Sequence, residues 1–497
     1  MVKKIFESLC IKDKGERLVK KFFSKFEIEY FIVFFIFIIL SLLIPLTSGD
    51  DFNWGTETGL ARLANHFENY NGRYVGNLII IAITRIALLR IIFYASINTL
   101  MVYSISKLSF FTNKKTPYLV TLMLLAIPYT VYAQTFGWYA GFANYNVAIS
   151  LTLFIWTILV KEKNTIIDFV ILVPISIAAQ LCMENVTIFN IIISLTYLII
   201  RLKKKPLKEL FYFVFSILGA IIMFSNGAYQ TIAGNNDVYR SYDISTITDV
   251  LFTSFSQFYF VDNWLIMISL GLITFFLYRE KKAISYFIKL ILILFPASTL
   301  MLSNINVTLN KLPGVFSISF FFGGLIFLLS IVHVVTTLEI DIQKKVYMIF
   351  LGFCSALIIS PMLLIKPFGP RVMLTSYVFF VLLLNNLINV YLNQKLAFVN
   401  DRKFFQGVKK ILLICFVLLV GIHGVNLYSI NYRSEKFDIN HKNKTITTYQ
   451  VPFEQYGHFI SPPGYNEVAK RTFRRHYHLP EDYDIIFQPY LNSLLDD

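Results

Sequence analysis

The chain has 497 residues, of which 56% are hydrophobic and only 15% are charged, and its mean hydropathy is +0.62. Average soluble chains carry roughly a quarter charged residues, so this composition excludes an ordinary soluble protein and a disordered one. It also excludes a nucleic-acid-binding protein, despite the net charge of +15. The sequence therefore predicts an all-α polytopic integral membrane protein. The excess of Lys and Arg then reflects the way positive charge is distributed in the loops between membrane spans.

A helix crosses a hydrocarbon core of about 30 Å with about 20 apolar residues, and the chain contains about thirteen such stretches. The predicted spans are Ile28 to Leu46, Leu88 to Ser106, Pro117 to Ala133, Phe142 to Val160, Ile166 to Met183, Val186 to Ile200, Leu210 to Ile232, Asn263 to Tyr278, Ile284 to Leu302, Val315 to Val335, Val346 to Ile365, Val372 to Tyr391 and Ile411 to Ser429.

The basic residues predict the orientation of these spans. More than half of the 45 Lys and Arg fall in the segment 1–27 and in alternate short loops. Because positive charge resists translocation, this bias predicts a cytoplasmic N-terminus and an uncleaved signal anchor in the cell membrane. An odd number of spans then makes residues 431–497 an exterior tail after a membrane domain at 28–430.

The first exterior loop, 47–87, opens with the adjacent acids Asp50 and Asp51. Neighbouring side chains on a turn point in different directions, so one carboxylate can act as a general base while the other fixes the loop. The alternative is a solvated turn at a helix end.

Two helices lying in the membrane interface are predicted after this turn. The pattern of Thr56 to Asn69 places its apolar residues on one face, and Val75 to Leu89 suits a second interfacial helix. Arg73 lies where a helix begins, a position that favours an anion such as phosphate. Arginine side chains that reach lipid headgroups are the alternative.

Aromatic and amide side chains occupy the next two exterior turns. Trp138, Asn144 and Tyr145 have the groups that bind sugars, although Trp and Tyr also mark membrane interfaces in general. Glu184 and Asn185 join two closely spaced apolar helices, where a carboxylate needs a partner or water, and both are further candidates for binding the sugar or the acceptor.

Two further exterior segments carry polar groups. The loop 233–262 could cap an exterior cavity. Lys366 and Arg371 flank a turn stiffened by Pro367, Gly369 and Pro370, and they could hold a phosphate at a helix start. A rigid turn paired with lipid phosphate is the alternative.

The tail, 431–497, is predicted to form a small module that leans on the membrane domain for burial. Its segment His476 to His478 has no cysteine or acid at metal-ligand spacing, so no metal is predicted there. No cofactor is required, since two cationic side chains can neutralise one phosphate, but the clustered acids leave a divalent metal open.

The order of these features resembles the GT-C superfamily of polytopic membrane glycosyltransferases, especially bacterial members from Gram-positive genomes. The residues that carry the resemblance are Gly49-Asp50-Asp51, Asn71-Gly72-Arg73-Tyr74, Trp138 through Asn144-Tyr145, Glu184-Asn185 and Gly369-Pro370-Arg371. The resemblance implies an exterior acidic motif, interfacial helices after it, and a polyprenyl-phosphate sugar as donor.

The implied reaction is an inverting displacement onto an exterior cell-envelope acceptor, which could be a polysaccharide, a teichoic acid or a protein. Asp51, or Asp50, would remove the acceptor proton, while Arg371, Arg73 and Lys366 would hold the donor phosphate. Membrane lipid, a donor-synthesising glycosyltransferase and a flippase are the other partners expected, and no nucleic acid.

Other functions remain open from the sequence. A polymerase or ligase of lipid-linked saccharides shares the topology and the phosphate chemistry, and differs chiefly in its donor. A transporter or flippase would use the same exterior cations for headgroups. A non-enzymatic scaffold would tolerate loss of Asp50, Asp51 and Arg371 together.

Overall fold

The computed structural model describes residues 27–110, 113–161, 165–202, 206–234, 240–242, 247–278, 286–305, 308–393, 401–464 and 466–489. The predicted cytoplasmic segment 1–27 lies outside these residues except for Glu27. Most of the polar centre of the loop 233–262 also lies outside them, as does the end of the tail.

Within the described residues, nine helices are long and apolar enough to cross a membrane. They are Ala87–Leu108, Tyr139–Leu159, Glu184–Arg201, Leu207–Phe224, Tyr286–Asn304, Gly314–Thr337, Ile342–Leu364, Pro370–Asn393 and Asp401–Glu435. A tenth span results if the pair Ile247–Val261 and Trp264–Tyr278, bent by 67°, is counted as one. The protein is therefore a mainly helical multi-pass membrane protein.

Three of the predicted spans form shorter helices, at Ile28–Leu43, Thr116–Leu125 and Ile166–Gln180. The expected span from Pro117 to Ala133 is interrupted, because Pro128 disfavours helical backbone in the residue before it and a new helix begins at Tyr129. The count of thirteen, and the side of the membrane on which each loop lies, stay predictions.

The helices Pro370–Asn393 and Tyr139–Leu159 form the centre of the bundle. Every residue from Met373 to Val390 is buried, although the stretch contains three asparagines. All three have partners: Asn385 Nδ2 donates to Ser109 Oγ, Asn386 Oδ1 accepts from the Phe110 amide, and Asn389 Oδ1 accepts from Asn393 Nδ2, each at 2.7 Å. Outer helices such as Asp401–Glu435 instead leave apolar side chains exposed, as lipid contact requires.

The first loop folds into three short helices, Asp51–Gly55, Glu57–Ala64 and Tyr74–Arg85. The helix expected over Thr56 to Asn69 ends earlier, at Ala64. There the chain reverses through a turn in which His66, Phe67 and Asn69 have positive φ. A helix is present where the second interfacial helix was predicted, but it ends at Arg85, since extended backbone at Ile86 separates it from the span that follows.

The tail forms a three-stranded sheet with one helix. Strand Thr445–Tyr449 pairs antiparallel with Asp438–Asn440 and parallel with Asp484–Gln488, and the helix Glu467–His476 buries Phe473. The remaining short elements are Ala228–Ala233, Ser241–Tyr242, Leu309–Lys311, Ser360–Leu364, Ile365–Lys366, Pro370–Val372 and Glu454–Tyr456. The last bundle helix ends at Glu435, six residues beyond the predicted end at Ser429.

Candidate functional site

The predicted polar residues come together at one end of the bundle. Here the first loop contacts the start of the helix at Tyr139, Arg73 contacts Glu184, and part of the tail covers the first loop. The contacts described below connect several of these groups directly. Which face of the membrane this end occupies stays a prediction.

Asp51 is fully buried and both of its carboxylate oxygens are engaged. Oδ1 accepts from the Ala140 amide at 2.9 Å, and Oδ2 accepts from the Thr47 amide at 3.2 Å and the Thr47 hydroxyl at 3.3 Å. Burial raises the pKa of Asp51 to about 7, and the charge of Asp50 adds to this rise while the amide donors oppose it. Asp51 thus fastens the first loop to the Tyr139 helix.

Asp50 has a different environment. It precedes the helix Asp51–Gly55 at the position where an Asp usually accepts a bond from the helix amides, yet its side chain makes no such bond. No hydrogen bond or ion pair to the carboxylate is found within the described part of the chain. Burial raises the pKa of Asp50, and the charges of Arg62, Arg371 and Arg73 oppose that rise. Of the two adjacent acids, Asp50 is therefore the one whose carboxylate is not engaged by the protein residues described.

Arg371 lies in the turn Pro370–Val372, which begins the central span Pro370–Asn393. No carboxylate among the described residues forms an ion pair with it, although its charge acts on Asp50. The structure thus has Arg371 at a helix start, as the sequence predicted. Its role in phosphate binding stays a prediction.

Arg62 is a member of the site that the sequence did not single out. Its guanidinium lies over the rings of Trp54 and Tyr70, at 4.7 and 4.1 Å from their centroids. Its Nη1 is buried with no hydrogen-bond partner among the residues that the structure describes. The sequence could not indicate this contact, because Tyr70 reaches Arg62 only through the chain reversal after Ala64.

Arg73 and Glu184 form a two-pronged ion pair. Arg73 Nε donates to both carboxylate oxygens at 2.9 and 3.0 Å, and Nη2 lies 2.9 Å from Oε2. The Tyr229 hydroxyl donates to Glu184 Oε1 at 2.9 Å, and it accepts from the Gly72 amide at 3.2 Å. Glu184 thus has the partner that its position demanded, and the charge of Arg73 is balanced within the protein.

The residues expected to bind sugar are mostly packed. Trp138 and Tyr145 are buried, and the Trp138 ring centroid lies 4.3 Å from that of His458. Asn144 is half-buried and donates to the Ala140 carbonyl at 2.7 Å, while buried Asn185 donates to the Ile358 carbonyl at 2.9 Å. In this conformation the two rings have no open face, so their contact with sugar stays a prediction.

Lys366 is the last residue of strand Ile365–Lys366, which pairs antiparallel with Ser241–Tyr242. A cis peptide bond joins Lys366 to Pro367. The strand pairing ties the loop before Arg371 to the loop that follows the helix Ala228–Ala233.

The tail covers the first loop beside the two acids, which the sequence did not indicate. Ser48 Oγ donates to the Phe459 carbonyl, and a Cβ on Gly49 would lie only 2.8 Å from His458 Cδ2. Phe52 stacks on His476 with ring centroids 3.6 Å apart. Burial, with the nearby charge of Arg371, lowers the pKa of His458 to about 3, so this ring is neutral at pH 7.

In the described part of the chain, no group of three or more His, Cys, Asp or Glu side chains could hold a metal ion. Comparison of the whole chain with protein-family models, with curated proteins and with solved structures finds no match. The function must therefore be inferred from the chemistry of this site.

Proposed function

We propose that the protein is a membrane glycosyltransferase that moves a sugar from a polyprenyl-phosphate donor to a hydroxyl group of a cell-envelope acceptor. The observation that carries this proposal is the state of Asp50. Its carboxylate has no hydrogen-bond partner in the described chain and lies in the field of Arg62, Arg73 and Arg371. An available base beside cations suits a reaction that takes up a proton and releases a phosphate.

In the proposed step, the acceptor oxygen attacks the anomeric carbon and its proton passes to Asp50. The bond from that carbon to the phosphate oxygen breaks, and the electron pair leaves with the phosphate. Attack opposite the leaving group inverts the anomeric centre. Arg371 and Arg62 are the cations best placed to stabilise the phosphate, since Arg73 is already paired with Glu184.

A lipid-linked donor suits the surroundings of the site. The helices around it expose apolar side chains such as Leu42, Leu88 and Ile221 to the lipid. The reactive groups lie at the end of the bundle rather than midway along it, as contact with a headgroup phosphate requires. A polyprenyl chain in the bilayer would bring its phosphate to that level.

The test compares Asp50→Asn with Asp51→Asn in membranes that contain equal amounts of protein. The assay measures transfer of radiolabelled sugar from a panel of undecaprenyl-phosphate sugars to extracts of the cell envelope. Asp50→Asn should lower transfer about 100- to 10,000-fold, because general-base help has that size. Asp51→Asn should retain measurable transfer, since Asp51 only positions the loop, and exposed Asp482→Asn serves as the matched control.

Full transfer by Asp50→Asn would remove the catalytic role of Asp50. Consumption of lipid-linked oligosaccharides but of no single-sugar donor would instead identify a polymerase or ligase. Movement of the donor across the membrane without transfer would identify a flippase.

A further inference from the structure

A cavity of about 390 Å³ lies beside the site, at the bend between the helices Ile247–Val261 and Trp264–Tyr278. We call it the Asp262 cavity. Its volume falls in the range of small-molecule sites, about 300–1,000 Å³. Its lining includes Tyr129, Thr130, Gln257, Asp262, Thr308 and Tyr456.

The polar groups of this cavity are hydroxyls, an amide and one carboxylate. Asp262 Oδ2 accepts from the Thr130 hydroxyl at 3.1 Å, and Oδ1 accepts from Gln257 Nε2 at 2.8 Å. Both donors are uncharged, and the carboxylate has lone pairs left for further donors. Thr308 Oγ1 is buried and has no hydrogen-bond partner among the described residues, so it can also bond a ligand.

The lining of the cavity disfavours an anionic ligand. None of the described lining residues is Lys, Arg or His, and Asp262 is the one carboxylate among them. This is the opposite of the surroundings of Asp50, where arginines gather. A phosphate or a uronic acid would find no cation in the Asp262 cavity, whereas a hydroxyl-rich neutral ligand would find acceptors there.

Aromatic rings line the cavity beside these polar groups. Tyr129, Trp264 and Tyr456 line the cavity, and the Tyr129 and Tyr456 rings lie 6.4 Å apart at their centroids. Tyr129 is half exposed, so one of its faces remains open. Rings beside hydroxyl-bonding groups suit a sugar, whose C–H faces stack on rings while its hydroxyls bond to polar side chains.

A second cavity, of about 410 Å³, adjoins the Asp262 cavity. It shares Tyr129 and Thr130 with the first, and Gln134, Pro370 and His458 line its other parts. His458 packs against Gly49, the residue before Asp50. Pro370 directly precedes Arg371. The second cavity is therefore lined in part by residues that adjoin the first loop and Arg371.

We infer that the two cavities bind the acceptor, and that this acceptor is a neutral saccharide rather than a polyol phosphate. A sugar ring in the Asp262 cavity would lie away from the reacting end of the acceptor. The reacting step rests on the proposed function, but the binding of saccharide does not.

The test measures saccharide binding separately from turnover. Purified protein in lipid nanodiscs is applied to an array of neutral and anionic bacterial saccharides. Wild type should bind neutral saccharides, and Asp262→Asn should weaken that binding at least tenfold. Tyr129→Ala, a change at a half-exposed ring that folding tolerates, should weaken it as well. Tyr428→Ala, on an exposed face of the last bundle helix, is the matched control.

Each outcome decides one of the two proposals. Binding of anionic saccharides alone, binding of none, or equal binding by wild type and both cavity variants would overturn the acceptor site. If neutral saccharides bind through Asp262 but no donor is consumed, the acceptor site stands as a saccharide site and the transferase proposal fails. If Asp50-dependent transfer occurs and the cavity variants bind saccharide as wild type does, the transferase proposal stands and the acceptor site fails.

Discussion

The burial of Asp51 predicts an unusual dependence of stability on pH. In the unfolded chain its carboxyl titrates near 3.8, whereas burial raises its pKa to about 7 in the folded protein. Between these values the folded state holds a proton that the unfolded state has released. The free energy of unfolding should therefore fall as pH rises from about 4 to about 7, and this contribution should be constant above and below that window.

The size of the effect follows from the shift. One pKa unit corresponds to about 1.4 kcal/mol, so Asp51 should remove on the order of 4 kcal/mol of stability across the window. Asp51→Asn cannot titrate and lacks this contribution. At low pH the variant should be less stable than wild type by about 1–3 kcal/mol, because its amide nitrogen cannot accept from the Thr47 or Ala140 amide. Because wild type loses on the order of 4 kcal/mol across the window, the order should reverse, and the variant should be the more stable protein by about 1–3 kcal/mol above pH 7.

The assay is thermal unfolding of purified protein in detergent at pH 5 to 8, followed by tryptophan fluorescence. Asp482→Asn is the control, since Asp482 is fully exposed and its pKa is lowered by Lys444, which puts its titration below the window. The reasoning would be refuted if wild type and Asp51→Asn lost stability with pH along parallel curves.

Two other substitutions test how the site is assembled. A Cβ at Gly137 would lie 2.2 Å from the Tyr456 carbonyl, so Gly137→Ala should lower the free energy of unfolding by about 1–3 kcal/mol and speed proteolysis of the tail. Gly424→Ala is the control, because a Cβ at Gly424 would meet open space and alanine should stabilise the helix Asp401–Glu435. Equal melting temperatures for Gly137→Ala and Gly424→Ala would contradict the close approach of the tail to Gly137. Glu184→Gln leaves partly exposed Arg73 without a countercharge, so the free energy of unfolding should fall by about 1–3 kcal/mol, as measured from melting curves. An unchanged melting curve would mean that the ion pair does not form.

Local properties of the sequence predicted the architecture well. Hydropathy located helices such as Ala87–Leu108 and Gly314–Thr337 to within a few residues, because lipid contact selects apolar side chains along a whole helix. The cost of an unpaired carboxylate likewise predicted that Glu184 needs a partner. Such inferences depend on composition over a short stretch, which a sequence displays directly.

Pairings between distant residues could not be predicted in the same way. The partner of Glu184 is Arg73, more than a hundred residues earlier, and the sequence assigned that arginine to phosphate instead. Nothing in the sequence near Ser48 indicates a contact with Phe459 of the tail. These contacts depend on how the helices pack, and packing is not encoded in any local pattern.

The two adjacent acids show why their roles needed the structure. Their sequence neighbourhoods are the same, but the Ala140 amide reaches Asp51 and not Asp50. A capping bond from an Asp in the position of Asp50 would stabilise a helix by about 1 kcal/mol, and Asp50 does not make it. Asp50 also loses part of its hydration on burial with no hydrogen bond from the described residues in return. A role in stability accounts for neither cost. A role that requires the carboxylate to stay free for a ligand accounts for both.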